Sequence, residues 1–336
     1  MRRRTFIAAA GFASAAIAST LASAVTALGL VGWPLAASAQ GKPMRLVVSF
    51  PPGGPVDYVA RALAEQLTKD IGQTVIVENK AGANGAIGAS EVMRSAPDGH
   101  TLWFTSVGAA AVNPSLYDKL AYDLTRDFAP VSLVVNNVEL LVVHPDDPAK
   151  DAAEFVANSK KKKDPTAMAS SGIGSIPHLA IEQLKDATGA NLVHVPYKGA
   201  APAIVDVMGG QVGGFFGDIP GLIGHVRSGK LKAIGLASSS RHPTLPDVRP
   251  LAEQGMPNVD SNNWYALFAP VKTSPDKVRA LNEAVRSALR SPALSARLLE
   301  TGAEPAPSTP EELSALVKRD TEKWARLIRA KQIKAE

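Results

Sequence analysis

The sequence predicts an α/β fold with two lobes. Short β-rich runs alternate with helical patterns along the chain after residue 40, and this alternation is typical of βα units on a mostly parallel sheet. The chain of 336 residues is also longer than a single hydrophobic core usually supports. We therefore expect two sets of βα units, one in each lobe.

The first set of βα units is predicted between residues 44 and 143. Residues 44–50 are typical of a strand, and Pro51-Pro52-Gly53-Gly54 ends it. A helix should follow over 56–71, because its apolar side chains recur at helical spacing and Pro55 suits the first turn. Further strands of this set are predicted at 74–78, 102–105, 131–135 and 140–143.

The second set of units is predicted from about residue 150 onward. Its helices are predicted at 151–160, from about residue 177 and at 202–208, and its strands at 166–170, 193–196, 212–216 and 233–237. The chain from Ser274 onward is predicted to be helical. Thr309 and Glu312 form a capping box at the start of a helix in this tail.

Residues 1–39 are predicted to be a signal peptide. Arg3 and Arg4 precede a long apolar stretch that closes on Ala37-Ser38-Ala39, and export machinery reads such a basic start, apolar middle and small-x-small site. The paired arginines favour the twin-arginine route, with the Sec route as the alternative. A membrane anchor is a second interpretation, because residues 8–31 exceed the roughly 20 residues of a span, but their small side chains favour cleavage. We expect cleavage after Ala39 and a periplasmic mature protein.

The charge of the mature chain argues against a nucleic-acid partner. Cleavage after Ala39 leaves 336 − 39 = 297 residues and removes three arginines, so the formal net charge falls from +5 to +5 − 3 = +2. A nearly neutral chain with 5% aromatic residues lacks the basic surface that nucleic acids attract. The chain has no cysteine, so both lobes must hold by packing alone. We expect a monomer.

Four turns rich in small residues are the candidate ligand site. They span 51–57, 105–110, 170–175 and 197–200, each after a predicted strand. Ligands of parallel sheets bind outside the carboxyl ends of the strands, where such turns meet. Free backbone N–H groups and helix N-termini at these turns suit an anion without any arginine. The turns therefore predict an acidic ligand.

Single residues in these turns allow two interpretations each. Asp57 is either a stabilising acid in the first turn of a helix or a residue of the ligand site. Four serines can donate to a carboxylate or cap a helix: Ser106, Ser170, Ser171 and Ser175. His178 is interpreted as a packed histidine rather than a catalytic one.

The sequence offers no enzyme signature. Residues 82–88 space their glycines as G-x-x-G-x-x-G, which differs from the dinucleotide pattern G-x-G-x-x-G. No G-x-S-x-G motif surrounds Ser106, and the six histidines form no H-x-x-x-H or H-E-x-x-H pair. We expect no enzymatic activity, no cofactor and no metal.

Eight stretches, taken in order, are more specific than any single motif. They are Phe50-Pro-Pro-Gly-Gly-Pro-Val-Asp57, Val77-Glu-Asn-Lys-Ala-Gly82 with Asn84 to Gly88, Ala96-Pro-Asp-Gly-His-Thr-Leu102, Asp127-Phe-Ala-Pro-Val131, His194-Val-Pro-Tyr-Lys-Gly199, Gly209-Gly-Gln-Val212, Leu245-Pro-Asp-Val248 and Trp264-Tyr-Ala-Leu-Phe-Ala-Pro270. Together they resemble the periplasmic receptors of tripartite tricarboxylate transporters, the Bug family of solute-binding proteins. The resemblance covers essentially the whole mature chain.

The resemblance implies a two-lobe periplasmic binding protein of the Venus-flytrap type, with each lobe a mixed or parallel sheet flanked by helices. The first lobe would comprise 40–140 and 263–336, and the second 141–262. The family's ligand contacts, carried over to this sequence, would be Gly53, Gly54, Asp57, Ser106, Gly108, Ser171, Gly172, Ser175, Tyr197, Gly199 and Asp218. Ile219-Pro220 departs from the Asn that many relatives have after the aspartate.

The implied function is capture of a small carboxylic acid in the cleft between the lobes and its delivery to the membrane permease subunits of a tripartite transporter. Binding would close the lobes and so mark the loaded receptor. One alternative is a periplasmic sensor for a two-component system. The other is an enzyme that acts on a small acid, for which Asp57 and Asp218 would be the candidate residues.

Overall fold

The computed structural model describes residues 42–335 and contains ten strands and eleven α-helices in that range. Strands β1 to β10 span Met44–Val48, Val75–Asn79, Thr101–Ser106, Phe128–Val143, Thr166–Ser170, Leu192–Pro196, Gly214–Asp218, Lys232–Leu236, Asn262–Pro270 and Glu304–Pro305. Helices α1 to α11 span Pro55–Ile71, Ala86–Met93, Asn113–Leu116, Leu124–Asp127, Ala152–Lys161, Ile176–Thr188, Ala200–Met208, Ile219–Arg227, Pro275–Arg290, Pro292–Thr301 and Pro310–Lys331. Short 3-10 turns lie at Ala83–Gly85 and Ala252–Gln254, and a π-helical turn lies at Gly108–Val112.

The strands form one curled mixed sheet in the order β2-β1-β3-β9-β4-β7-β5-β6, with β8 and β10 also paired to β4. Parallel pairs join β1 to β2 and β3, and β5 to β6 and β7. The pairs that involve β4 or β9 are antiparallel. We call β1, β2, β3, β9, β10 and residues 128–138 the first half-sheet, and β5 to β8 and residues 139–143 the second half-sheet.

Strand β4 belongs to both half-sheets. Its residues 128–138 pair with β9, and its residues 139–143 pair with β7 and β8. The prediction of two separate strands, 131–135 and 140–143, was therefore wrong. The polar residues between them include Asn137 and Glu139, and both side chains are buried within the continuous strand.

Each half-sheet is covered by helices on both faces. In the first, Leu46 and Val48 pack under α1, α9 and α10, whereas Val47 faces the opposite core with α11. In the second, α5 and α6 contribute to one core, and α7 and α8 to the other. This arrangement gives near-continuous apolar strands, as expected for sheets buried on both faces.

Local sequence signals explain several helix ends. Pro55 is the first residue of α1, and Gly72 ends that helix with φ +65°. The predicted capping box is confirmed, because the Thr309 side chain accepts from Glu312 N–H and the Glu312 side chain accepts from Thr309 N–H. Helices α2 and α8 were not predicted. Within residues 42–335, no helix has the length and apolarity of a membrane span.

Two predicted features of the chain are its signal peptide and its lobe boundaries. The predicted signal peptide, residues 1–39, lies outside the described residues. The lobe boundaries at 140/141 and 262/263 stay a prediction.

Candidate functional site

A pocket lies between the two half-sheets, at the carboxyl ends of β1, β3, β5 and β7. Its volume is about 600 Å³, including the open mouth. Among residues 42–335, the lining contains one carboxyl group, that of Asp218, and no lysine, arginine or histidine. The lining residues are Phe50, Pro51, Pro52, Gly54, Pro55, Val56, Asn84, Ser106, Ser171, Ser175, Ile176, Pro177, Gly199, Ala200, Ala201, Phe215, Gly217, Asp218 and Asn263.

Four helices begin at the wall of this pocket. Helices α1, α6, α7 and α8 start there, and residues at or just before each start line the pocket. A helix N-terminus carries partial positive charge and N–H groups without partners in the helix. The pocket therefore favours an anion although it has no cationic side chain.

The loop between β1 and α1 is shaped by Asp57. Its carboxylate accepts hydrogen bonds from Gly53 N–H at 3.0 Å, Arg61 Nε at 2.9 Å and Asn79 Nδ2 at 2.8 Å. Burial alone would raise the pKa of Asp57, but these donors together hold the pKa below its ordinary value. These bonds tie Asp57 to its own loop, to Arg61 of α1 and to Asn79 of β2, and Asp57 does not line the pocket. It orders Gly53, which has φ +80°, and the lining residue Gly54.

Ser106 and Asn84 form the adjoining wall. Ser106 ends β3 and is 5% exposed. Gly108 does not line the pocket, but a Cβ there would lie 3.2 Å from both Asn84 side-chain polar atoms, so a glycine is needed for their close approach. Asn84 donates to Asn113 Oδ1 at 2.9 Å and to the carbonyl oxygen of Gly174 at 3.1 Å. The second bond joins a loop of the first half-sheet to a loop of the second.

The loop between β5 and α6 is held by hydroxyls and two histidines. Ser175 Oγ donates to the carbonyl of Gly172 at 2.7 Å, and it caps α6. Ser170 Oγ lies 2.5 Å from His194 Nε2. His178 Nδ1 accepts from Gly174 N–H at 3.1 Å, which requires an unprotonated Nδ1. Gly172 shapes this loop with φ +131° and does not line the pocket.

The two histidines stack on each other. The ring centroids of His178 and His194 are 3.7 Å apart, with an angle of 8° between the planes. Burial, with help from Lys185, lowers the pKa of His178 to about 4. Burial and the neighbouring His178 lower the pKa of His194 to about 3. Both rings are therefore neutral at physiological pH, as the interpretation of His178 as a packed residue requires.

The turn before α7 contributes its backbone. Gly199, with φ +110°, lines the pocket, and a Cβ there would lie 3.1 Å from Pro51 Cγ of the first half-sheet. Tyr197 points elsewhere, since its hydroxyl donates to Asp206 Oδ2 at 2.5 Å. Burial and the Asp206 carboxylate raise the pKa of Tyr197 to about 12.

A buried polar cluster lies behind the pocket wall at Asp218. Asn263 Nδ2 donates to both carboxyl oxygens of Asp218 at 3.0 Å, and the Tyr265 hydroxyl donates to Oδ2. Glu139 lies opposite Asp218 on the neighbouring strand and is fully buried. Burial raises the pKa of Asp218 to about 6, although hydrogen bonds from Tyr265, Asn263 and Glu139 oppose the shift. Burial and the Asp218 charge raise the pKa of Glu139 well above its ordinary value.

Residues 59–333 match the family model described as "Tripartite tricarboxylate transporter family receptor". The chain belongs to this family. The receptor is 36% identical to the protein BugT of Bordetella pertussis over 289 residues, which is 86% of this chain and 89% of BugT. The resemblance to the Bug family is thus confirmed.

Two solved structures show the same fold. The periplasmic binding protein BugD has a TM-score of 0.82 to the receptor at 36% identity, covering 87% of this chain and 99% of BugD. MatC from Rhodopseudomonas palustris, solved with bound malate, has a TM-score of 0.80 at 34% identity, covering 85% and 98%. The prediction of a two-lobe periplasmic-binding-protein fold is confirmed, and the receptor is a solute-binding protein of a periplasmic family.

The structure brings together part of the predicted site of the receptor. The predicted residues that line the pocket are Gly54, Ser106, Ser171, Ser175, Gly199 and Asp218. The others, which do not line the pocket, lie in or beside the loops that carry lining residues: Gly53, Asp57, Gly108, Gly172 and Tyr197. Ile219 is fully buried in a core and does not line the pocket.

Sequence reasoning missed Asn84, Asn263 and the buried Glu139. Asn84 had a usable signal, because Asn-Gly pairs favour left-handed turns and Asn84 has φ +44°. Asn263 and Glu139 had no local signal, since the pairing of β4 with β7 and β9 brings them to Asp218.

Proposed function

We propose that the receptor captures a small carboxylic acid in the pocket between its half-sheets and delivers it to the permease subunits of a tripartite transporter. The observation that carries this proposal is the convergence of four helix N-termini on a pocket that has no cationic side chain. A carboxylate fits such a site, because backbone N–H groups and hydroxyls can donate hydrogen bonds to its oxygens without an ion pair.

The walls of the pocket also suit a ligand with a hydrocarbon body. Phe50, Val56, Ile176 and Phe215 supply apolar surface between the polar ends. At one end, Asn263 turns Nδ2 to Asp218, and its Oδ1 has no donor among residues 42–335. A ligand hydroxyl beside the carboxylate would satisfy that oxygen.

Loop contacts support binding by closure. Pro51 lies against Gly199, Pro55 lies against Gly221, and Asn84 bonds to Gly174. These contacts join the loops of the two half-sheets around the pocket. A ligand that touches both sides stabilises this closed arrangement, and the permease would recognise the closed receptor.

We infer further that the receptor is exported with residues 1–39 as its signal peptide, is a monomer and is not an enzyme. Of the two acids considered for an enzyme, Asp57 is occupied by Arg61, Gly53 and Asn79. Asp218 is occupied by Asn263 and Tyr265. Neither has a free nucleophile beside it within residues 42–335.

Isothermal titration of the purified protein with malate, succinate, adipate and citrate tests the proposal. We expect micromolar or tighter binding of at least one acid without turnover. Malate and succinate differ by one hydroxyl, so a preference for malate would assign that hydroxyl to Asn263 Oδ1. The matched variants are Ser171→Asp, which adds a negative charge to the wall, and Ser314→Asp, which adds one to an exposed face of α11.

The Ser171→Asp variant should lose at least tenfold in affinity, whereas Ser314→Asp should bind as the unmodified protein does. Absence of binding by all four acids, or equal affinities for the two variants, would contradict the proposal.

A further inference from the structure

Glu139 and Asp218 form a buried pair of acids. They face each other across the antiparallel strands β4 and β7. Glu139 is 0% exposed and Asp218 is 7% exposed, and only Asp218 reaches the pocket. The pair therefore connects the pocket to the strand that both half-sheets share.

The donors around the pair are distributed unequally. Asp218 accepts hydrogen bonds from Asn263 Nδ2 and from the Tyr265 hydroxyl. Neither carboxyl oxygen of Glu139 has a well-aligned hydrogen bond within residues 42–335, and the polar groups beside it are the Asn263 amide, which is already turned to Asp218, and the Asp218 carboxyl. Full burial and the neighbouring Asp218 carboxyl both disfavour an ionised Glu139, so Glu139 is the member of the pair that favours the protonated form, and Asp218 is the acceptor within its reach.

A bound carboxylate changes the charge balance at Asp218. The lining has no lysine, arginine or histidine that could offset an ionised Asp218. Two carboxylates in one closed pocket repel each other, and this repulsion favours protonation of one of them. A protonated Asp218 would instead offer the ligand a hydrogen-bond donor.

We propose that Glu139 and Asp218 are a proton-binding pair beneath the ligand pocket, which holds one proton in the free receptor and takes up a second when a carboxylate binds. The inference rests on the proposed function, because the second proton requires an acidic ligand. The receptor would thus capture its solute together with a proton.

The groups that face the pair determine the direction of the pH effect. Strand β4 brings Glu139, β7 brings Asp218 and β9 brings the Tyr265 phenol, whose pKa is raised by burial and by the two carboxyls. In residues 42–335, no lysine, arginine or histidine contributes to the pKa of either carboxyl. The pair therefore titrates under its own two charges and that of the ligand.

The sign of the effect follows from linkage. The pKa of Asp218 is about 6 in the free receptor, and a bound carboxylate raises it further. Affinity should be highest below about pH 6 and should fall as the pH rises above that value. The affinity should fall by up to about tenfold per pH unit in the pH range where binding of the acid takes up one whole proton.

Infrared spectroscopy tests the first proton without any ligand. At pH 7.5 the unmodified protein should show the C=O band of a buried, protonated carboxyl group. The band should be absent in Glu139→Gln and present in the matched control Glu283→Gln, whose side chain lies on the exposed face of α9. Lack of this band in the unmodified protein would overturn the proposal, and that result needs no variant to fold.

Calorimetry tests the second proton. Titrations of the purified protein with malate and with adipate at pH 7.5 are compared in phosphate and in Tris, which differ in their heats of ionisation. We expect uptake of up to about one proton per acid bound, and none in Asp218→Asn. Binding with identical heats in both buffers would overturn the coupling and leave the proposed function intact.

Failure of malate, succinate, adipate and citrate all to bind would reject the proposed function and with it the second proton. The infrared band would still decide whether the buried pair holds the first proton. The two failures are therefore distinguishable.

Discussion

Two loops face each other across the pocket, and each holds a helix N-terminus there through a different set of side chains. The loop before α1 is held by a charged network, in which Asp57 binds Gly53 N–H, Asn79 and Arg61. The loop before α6 is held by a neutral network of Ser170, His178 and His194. Both place a glycine-rich turn at a helix N-terminus.

Because of this difference, the two sides of the pocket should respond differently when the pH falls. A carboxylate whose pKa is lowered keeps its bonds until the solution is strongly acidic. Histidines whose pKa is lowered stay neutral in the folded protein, but the unfolded chain binds protons already near pH 6.5, so acidification lowers the free energy of unfolding. Mild acid should therefore reduce the stability that the second loop contributes and leave the contribution of the first loop unchanged.

Removal of the Asp57 carboxylate should cause the largest loss in the free energy of unfolding. Asp57→Ala removes the acceptor of Gly53 N–H, the ion-pair partner of Arg61 and one of the two acceptors of the Asn79 amide, which keeps the Phe50 carbonyl, so we expect a loss of about 2 to 3 kcal/mol in the free energy of unfolding. Urea unfolding measures this loss, and Asp70→Ala, at the exposed end of the same helix, is the matched control. Equal losses in the two variants would show that the charged network does not hold the first loop.

Acidification should cause the next largest loss in the free energy of unfolding, through the histidines of the second loop. The folded-state pKa of His178, about 4, lies below its ordinary value of 6.5, so the unfolded chain binds more protons between these values. The stability from neutral histidines is complete above about pH 6.5 and is lost as the pH falls towards 4. We expect a loss on the order of 2 kcal/mol between pH 7 and pH 4.5.

Urea unfolding at several pH values tests this expectation. A His178→Gln/His194→Gln double variant should be less stable at pH 7, but its stability should change less on acidification. His225→Gln, on α8, should keep the pH dependence of the unmodified protein. An unchanged pH dependence in the double variant would assign the acid response to other groups.

Replacement of Arg61, at the exposed end of the charged network, should cause the smallest loss in the free energy of unfolding. The Arg61 side chain is 51% exposed, although it lies 2.9 Å from Asp57. An exposed ion pair of this kind contributes less than about 1 kcal/mol, and salt screens it. Arg61→Gln should therefore lower the free energy of unfolding by less than that amount, and less still in 0.5 M salt. A loss as large as that of Asp57→Ala would mean that Arg61, and not the buried acceptor, orders the loop.

Much of the fold could be predicted from local patterns. The strand at 44–50, the helix after Pro55 and the capping box at Thr309 each depend on neighbouring residues, and the structure contains them. Helices α2 and α8 were missed, and β4 was divided in two because buried polar residues such as Asn137 imitate a break between strands. Local patterns cannot show that a polar side chain is buried, because burial depends on which strands pair.

The site was predictable to the extent that it consists of turns. All four predicted turns contribute residues to the pocket, because the carboxyl ends of β1, β3 and β5 and the turn before α7 meet there. The side chain that each turn presents was harder to predict. Asp57 faces its own loop rather than the pocket, and Glu139 reaches the site only through its pairing with β7.

Strand β4 has a mechanical consequence. Its sixteen residues run without interruption from the first half-sheet into the second, and its register shifts near Pro130, Leu133 and Leu141. Two bodies on a loose tether could separate in any direction, but two bodies that share a strand can change their angle only by altering its twist. A change in the angle between the two half-sheets therefore twists β4, and Glu139 lies on the strand that is twisted.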